Sequence, residues 1–214
     1  QMRNETGDRF IKGSPKRFHD GYFSFLAQLE AGFIGKAWAD ELFVSVSYSK
    51  TDKELQTGSV QTKVYGMAER NSDAWSVSAR YSKHDFLTDR LTLKATLSHT
   101  WDHSVTVDTA YRKYYWDGGY IISQRNEIRG SAPSMRHFKR PLTLVRANLD
   151  YPLGEHHGFN LNYNLNRTGN DRFDDLDRSF TPSNDAVTKH IVGLTYSQSF
   201  FEGKMQNVFF AKAY

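Results

Sequence analysis

Phe159-Asn160-Leu161-Asn162-Tyr163-Asn164-Leu165-Asn166 decides how the chain folds. Its odd positions are Phe, Leu, Tyr and Leu; its even positions are all Asn. Successive side chains of a strand point to opposite faces. As a strand, the segment has one apolar face and one amide face. The same period-two pattern recurs through the chain, so the deciding question is which face is covered.

Working outward, the pattern predicts about eight strands of roughly 10 residues each. Upstream, Val145, Ala147, Leu149 and Tyr151 oppose Arg146, Asn148 and Asp150. Leu91, Leu93, Ala95 and Leu97 oppose Thr92, Lys94, Thr96 and Ser98. Trp75, Val77, Ala79 and Tyr81 oppose Ser76, Ser78, Arg80 and Ser82. Leu42, Val44, Val46 and Tyr48 oppose Phe43 and three serines. The first strand, 22–33, is broken in pattern by Leu26. Downstream, Val192, Leu194 and Tyr196 oppose Gly193, Thr195 and Ser197, and the facing of the last strand, 205–214, is left open. Connections alternate: short at 36–41, 83–90, 152–157 and 201–204, long at 50–73, 106–141 and 167–186.

Composition narrows the class. The chain has 214 residues, net charge +4, no cysteine and a mean hydropathy of -0.66. No run approaches the roughly 18 apolar residues of a helical span. Disulfides and thiolate metal sites are excluded. A membrane barrel stays open, because alternation keeps its mean hydropathy low. Polar residues 1–20 read as loop, and both ends resemble cuts in a longer protein.

A soluble β-sandwich gives the same alternation with its apolar face inside. Three features favour a membrane wall. Tyr and Trp cluster near strand ends, as interfacial girdles do. Three loops exceed the length common in compact soluble domains. The polar faces are small Ser, Thr and Asn side chains, too small to fill an eight-stranded barrel. The expected fold is therefore all-β: an antiparallel transmembrane wall, with short turns at one end and long loops at the other.

Segments 35–42 (GKAWADEL), 48–54 (YSKTDKE), 63–70 (KVYGMAER) and 108–112 (DTAYR) resemble the barrel part of TonB-dependent outer-membrane receptors. The resemblance covers about 20–214. It implies that residues 1–214 are part of a 22-stranded barrel in a Gram-negative outer membrane. It also implies a plug domain elsewhere in the same parent chain, coupling to the TonB complex, contact with lipid and lipopolysaccharide, and uptake of a scarce, bulky nutrient. Neither plug nor TonB box is visible in this sequence. A small structural or adhesive outer-membrane barrel and a soluble carbohydrate-binding sandwich are the alternatives.

The longest loop carries the expected ligand contacts: Tyr111, Arg112, Tyr114, Tyr115, Trp116, Tyr120, Arg125 and Arg129. Aromatic faces and guanidinium groups stack on ring systems and attract anions. The competing reading is that these rings pack the loop on itself. Arg80, Lys94, Asn160, Asn162, Asn164 and Asn166 are expected to face the lumen. The acidic run Asp171, Asp174, Asp175 and Asp177 offers oxygen ligands for Ca²⁺, but its spacing is not that of an EF-hand and two arginines neutralise it. No metal, cofactor, nucleic acid or catalytic role is expected.

Overall fold

The computed structural model describes residues 2, 3, 10, 11, 16–58, 61–128, 130 and 132–214. In chain order the strands are β1 (Met2–Arg3), β2 (Phe10–Ile11), β3 (Tyr22–Lys36), β4 (Ala39–Glu54), β5 (Glu69–Lys83), β6 (Thr92–Asp108), β7 (Arg112–Tyr114), β8 (Tyr120–Ile122), β9 (Ser134–Lys139), β10 (Leu142–Leu153), β11 (His157–Asp174), β12 (Ser183–Phe200) and β13 (Met205–Ala213). The described residues contain no helix. The fold is all-β and its strands are antiparallel.

One sheet dominates, in the order β13-β12-β11-β10-β6-β5-β4-β3, with β9 lying between β6 and β11. β9 and β10 share the same two neighbours and form one interrupted strand. The interruption falls at Pro141, which has no N–H for the ladder. The Arg140 N–H donates to the Asp102 carbonyl at 2.7 Å, and the Gly169 N–H to the Pro141 carbonyl at 2.8 Å, carrying the pairing past the break. The sheet is thus eight columns wide, one per predicted strand. No ladder joins β3 to β13 among the described residues, so the sheet is open.

The predicted lengths are too short. β11 and β12 have 18 residues each, about 60 Å at ~3.4 Å per residue. That is about twice the hydrocarbon thickness of a bilayer. Correspondingly, the long connections shrink to 55–68, 109–133 and 175–182, and only one exceeds 15 residues. The cause is physical: hydrophobic alternation stops where the apolar band stops, whereas the backbone ladder continues through polar pairs such as Asp52↔Asn71 and Lys53↔Arg70.

The register puts every predicted apolar set on the same side. One row crosses all eight columns: Phe33, Leu42, Tyr81, Ala95, Ala147, Tyr163, Val192, Ala213. The neighbouring row on the other face reads Ile34, Glu41, Ser82, Lys94, Asn148, Asn162, Gly193, Lys212. A one-residue slip in any strand would exchange its two faces. Leu26 falls on the polar face and stays exposed. In β13, Phe209 and Ala211 join the apolar face while Val208 and Phe210 face the polar side, so its faces differ less than those of the others.

Nothing covers the apolar face among the described residues. Leu29 is 75% exposed, Leu97 51%, Val77 39% and Leu161 37%. A two-layer sandwich would bury these side chains; the described residues place no second large sheet over this face. The accessible surface is 14705 Å², where a compact monomer of this mass would expose about 10,000 Å². Aromatic rows edge the band. Tyr48, Trp75 and Trp101 adjoin on β4 to β6, with Tyr48 and Trp75 4.7 Å apart. Toward the short turns, Tyr151, Phe159, Tyr196 and Phe209 form a second row.

Candidate functional site

Side chains pack in three dimensions mainly at the long-connection end. Val64, Tyr65, Ala68 and Tyr114 are buried there, with polar His19, Gln56, Asp108, Asn126 and Glu127. Gln56 Oε1 accepts the backbone N–H groups of Phe18 at 2.9 Å and His19 at 2.8 Å, and its Nε2 donates to the Tyr65 carbonyl. His19 Nε2 lies 2.8 Å from the Ala68 carbonyl. These bonds fasten residues 18 and 19 to the 55–68 connection.

Glu127 joins that connection to the 109–133 loop. Its Oε2 accepts three consecutive N–H groups, from Gly66, Met67 and Ala68, at 3.1, 3.2 and 3.0 Å. Its Oε1 is buried without a hydrogen-bond partner. Burial pushes the Glu127 carboxyl above its ordinary range; the three donors oppose this and the Asp108 charge adds to it. Asp108, at the end of β6, accepts the N–H groups of Glu127 and Ile128. Gly66 is required on steric grounds, since a Cβ there would sit 2.5 Å from the Tyr114 ring.

The β7–β8 hairpin brings together Arg112, Tyr114 and Tyr120. The Arg112 guanidinium lies 4.3 Å above the Tyr120 ring and donates to the Tyr114 hydroxyl at 3.2 Å. Tyr114 packs on Phe18 and Tyr120. Lys113 sits over Tyr115 at 5.7 Å. These groups hold the loop on itself, which is the competing sequence reading. Tyr111 and Tyr120 present partly exposed rings, while Trp116 stands in the hairpin turn. Arg125 is exposed and stands apart from the stack, its N–H bonded to Ser123 Oγ. Arg129 lies outside the described residues.

The six residues expected to face a lumen do share the polar face. Asn148 Nδ2 donates to Asn160 Oδ1 at 3.0 Å and to Asn162 Oδ1 at 2.7 Å, and Asn160 donates to Asp150. Asn164 lies across from Arg146, and Asn166 Oδ1 accepts from Thr168. Arg80 lies 5.0 Å above the Phe43 ring. Arg80 and Lys94 line a cavity of about 410 Å³ with Ser82, Thr96 and Glu41.

The acidic run serves structure. The Asp174 side chain is fully buried and accepts from Ser134 Oγ, Arg136 Nε and the N–H groups of Met135, Leu176 and Asp177. Burial would raise its carboxyl, but these donors outweigh it and hold the group well below the ordinary carboxylate range. Sequence reasoning missed Gln56, the anchoring role of Glu127 and the pairing of His103 with His137, and it read Asp174 as a candidate Ca²⁺ ligand and not as an anchor. Each acts on backbone groups or residues far along the chain, and local pattern carries no such signal. No known protein family, curated protein or solved structure matches this chain.

Proposed function

We propose that this chain is part of the wall of a transmembrane β-barrel, and that the parent protein is an outer-membrane receptor for TonB-coupled uptake of a bulky nutrient. One observation carries the membrane reading. The apolar face is continuous across eight columns, edged by aromatic rows, and uncovered. Lipid is the solvent that suits such a face, and a closed ring of strands is the form in which a sheet satisfies its backbone there. The open edges of β3 and β13 fit a wall continued by further strands. The polar face of hydroxyls, amides, Arg80 and Lys94 suits a wet lumen or a polar plug. TonB coupling and nutrient uptake rest on the resemblance at 35–42, 48–54, 63–70 and 108–112. In this reading the 109–133 hairpin faces the outside. The exposed Tyr111, Tyr120 and Arg125 meet the ligand, while Arg112 and Tyr114 hold the hairpin's shape. The role is transport and needs no catalytic group.

The absence of cysteine makes a direct test possible. Nitroxides are attached through single cysteines at Val77 and at Ser78 in protein reconstituted into lipid vesicles. Position 77 is expected to collide with oxygen dissolved in lipid, and position 78 with a water-soluble nickel chelate. The pair Leu161→Cys and Asn162→Cys repeats the test on β11. A position 77 shielded from oxygen, or open to the chelate, would overturn the membrane reading.

A further inference from the structure

The apolar run on the uncovered face starts and stops at different levels in different strands. It covers 42–48 in β4, 75–81 in β5, 93–101 in β6, 145–151 in β10, 159–165 in β11 and 192–196 in β12. On the long-loop side it ends at a polar residue of the same face: Lys50, Asp73, His103, Thr143, Arg167 and His190 in that order. His99, inside the β6 run, meets the Thr143 hydroxyl at 2.7 Å. Lys50, Asp73 and His103 share one row. Thr143 and Arg167 share the row four residues nearer the short turns, and His190 lies two residues nearer again.

Single rows accordingly change character along their length. One begins Leu29, Val46, Val77 and ends Thr143, Arg167, Thr188. Another runs the opposite way: Lys83, ion-paired with Asp40 at 3.1 Å, shares its row with Leu93, Leu149, Leu161 and Leu194. A boundary parallel to the rows would leave each row uniform. The midpoint of the run is Ser45 in β4 and Leu194 in β12, whereas the row of Ser45 reaches β12 at Lys189. Five residues along the strands, about 17 Å, against five strand spacings, about 24 Å, give a slope of about 35°. The short turns give the same slope independently. Measured from the row of Leu42, Ala147, Tyr163 and Val192, the ladders end three residues on at Ala39, six on at Leu153 and His157, and eight on at Phe200. From β4 to β12 that is again a step of five residues.

We propose that the bilayer crosses this sheet along that oblique line, with the strands inclined about 35° to the membrane normal. Its hydrocarbon is bounded outside by Lys50, Asp73, Arg167 and His190, and inside by Asp40, Lys83, His157 and Gln198. This rests on the membrane reading above and adds where the boundary runs. An inclination of this size is what closing a sheet into a barrel requires. Arg167 and Thr188 then stand in the outer headgroup layer, although they share a row with Val46 in hydrocarbon. The ends of β11 and β12 beyond residues 167 and 190 clear the bilayer by about 20 Å. β9, which pairs with that part of β11, stands outside with the 109–133 loop it receives.

The test is the immersion depth of single nitroxides in the full chain reconstituted into lipid vesicles. Depth is read from the ratio of collisions with oxygen and with a water-soluble nickel chelate. Val46→Cys and Thr188→Cys sample one row, and Leu194→Cys and Lys83→Cys the other. Position 46 is expected about 14 Å deeper than 188, and position 194 about 11 Å deeper than 83, so the two rows descend into lipid from opposite ends. Either pair decides alone. Equal depths within a row, with 46 and 194 still in lipid, would overturn the oblique boundary and leave the membrane reading standing. Positions 46 and 194 both open to the chelate and shielded from oxygen would remove both.

Discussion

Glu127 illustrates how much one side chain does at the loop end. Its Oε2 ends three N–H groups while its Oε1 is buried without a donor. Glu127→Gln keeps a carbonyl acceptor and removes a buried charge beside Asp108. Glu127→Ala leaves three donors without their acceptor; the N–H of buried Ala68 alone costs about 1–3 kcal/mol of local stability when left without water or partner. Amide exchange at residues 66–68 is expected to be unchanged or slower in Glu127→Gln and much faster in Glu127→Ala. The pH sign follows from the raised carboxyl. The group's contribution is fully present below its ordinary value of 4.5 and is lost as pH rises through its folded value. Glu127→Gln should abolish that dependence. A Glu127→Ala loop as protected as the native one would sink this account.

Among elements, the strands were legible in sequence and their ends were not. Phe159 to Asn166 announces a strand because lipid or core must cover one face and not the other. Residues 167–174 continue the same strand, yet they include two Arg, two Asp and a Gly, so no face alternates. Their pairing is enforced by neighbours: Asp171 to Asp174 pair with β9, and Asp174 collects five donors. The same concealment hid the site. Arg112, Tyr114 and Tyr120 stood out by residue type, but whether they serve the loop or a ligand depends on a hairpin that composition does not specify. Asp174→Asn should cost about 1.5–3 kcal/mol at the β9–β11 junction, because Arg136 would lose its nearer carboxylate and keep only that of Asp177, 3.6 Å from its guanidinium. With a depressed carboxyl, the native group stabilises above 3.8 and the stability is lost as pH falls through the lower folded value. The part of the amide protection of 134–139 that Asp174→Asn removes should stay flat from neutral pH to about pH 4 and fall only below it. A fall already near pH 5 would refute the role given to Asp174.

For the whole molecule, exposed surface outweighs any single contact. An area of 14705 Å² against about 10,000 Å² for a compact monomer leaves a large excess, and much of it is the apolar face. Water penalises that surface by about 25 cal/mol per Å², and the free edges of β3 and β13 add unpaired backbone groups that template association. Detergent relieves the first problem and not the second. The chain is therefore expected to self-associate in plain buffer. In micelles it should give a stable β circular-dichroism spectrum, with any remaining association running through the edges. Sedimentation velocity in both media checks this, and Val208→Pro in β13, which removes an N–H pointing to the open edge, should lower the association that survives in detergent. A monomer in plain buffer with a cooperative thermal transition would mean that the apolar face is satisfied without lipid, and the membrane assignment would fall with it.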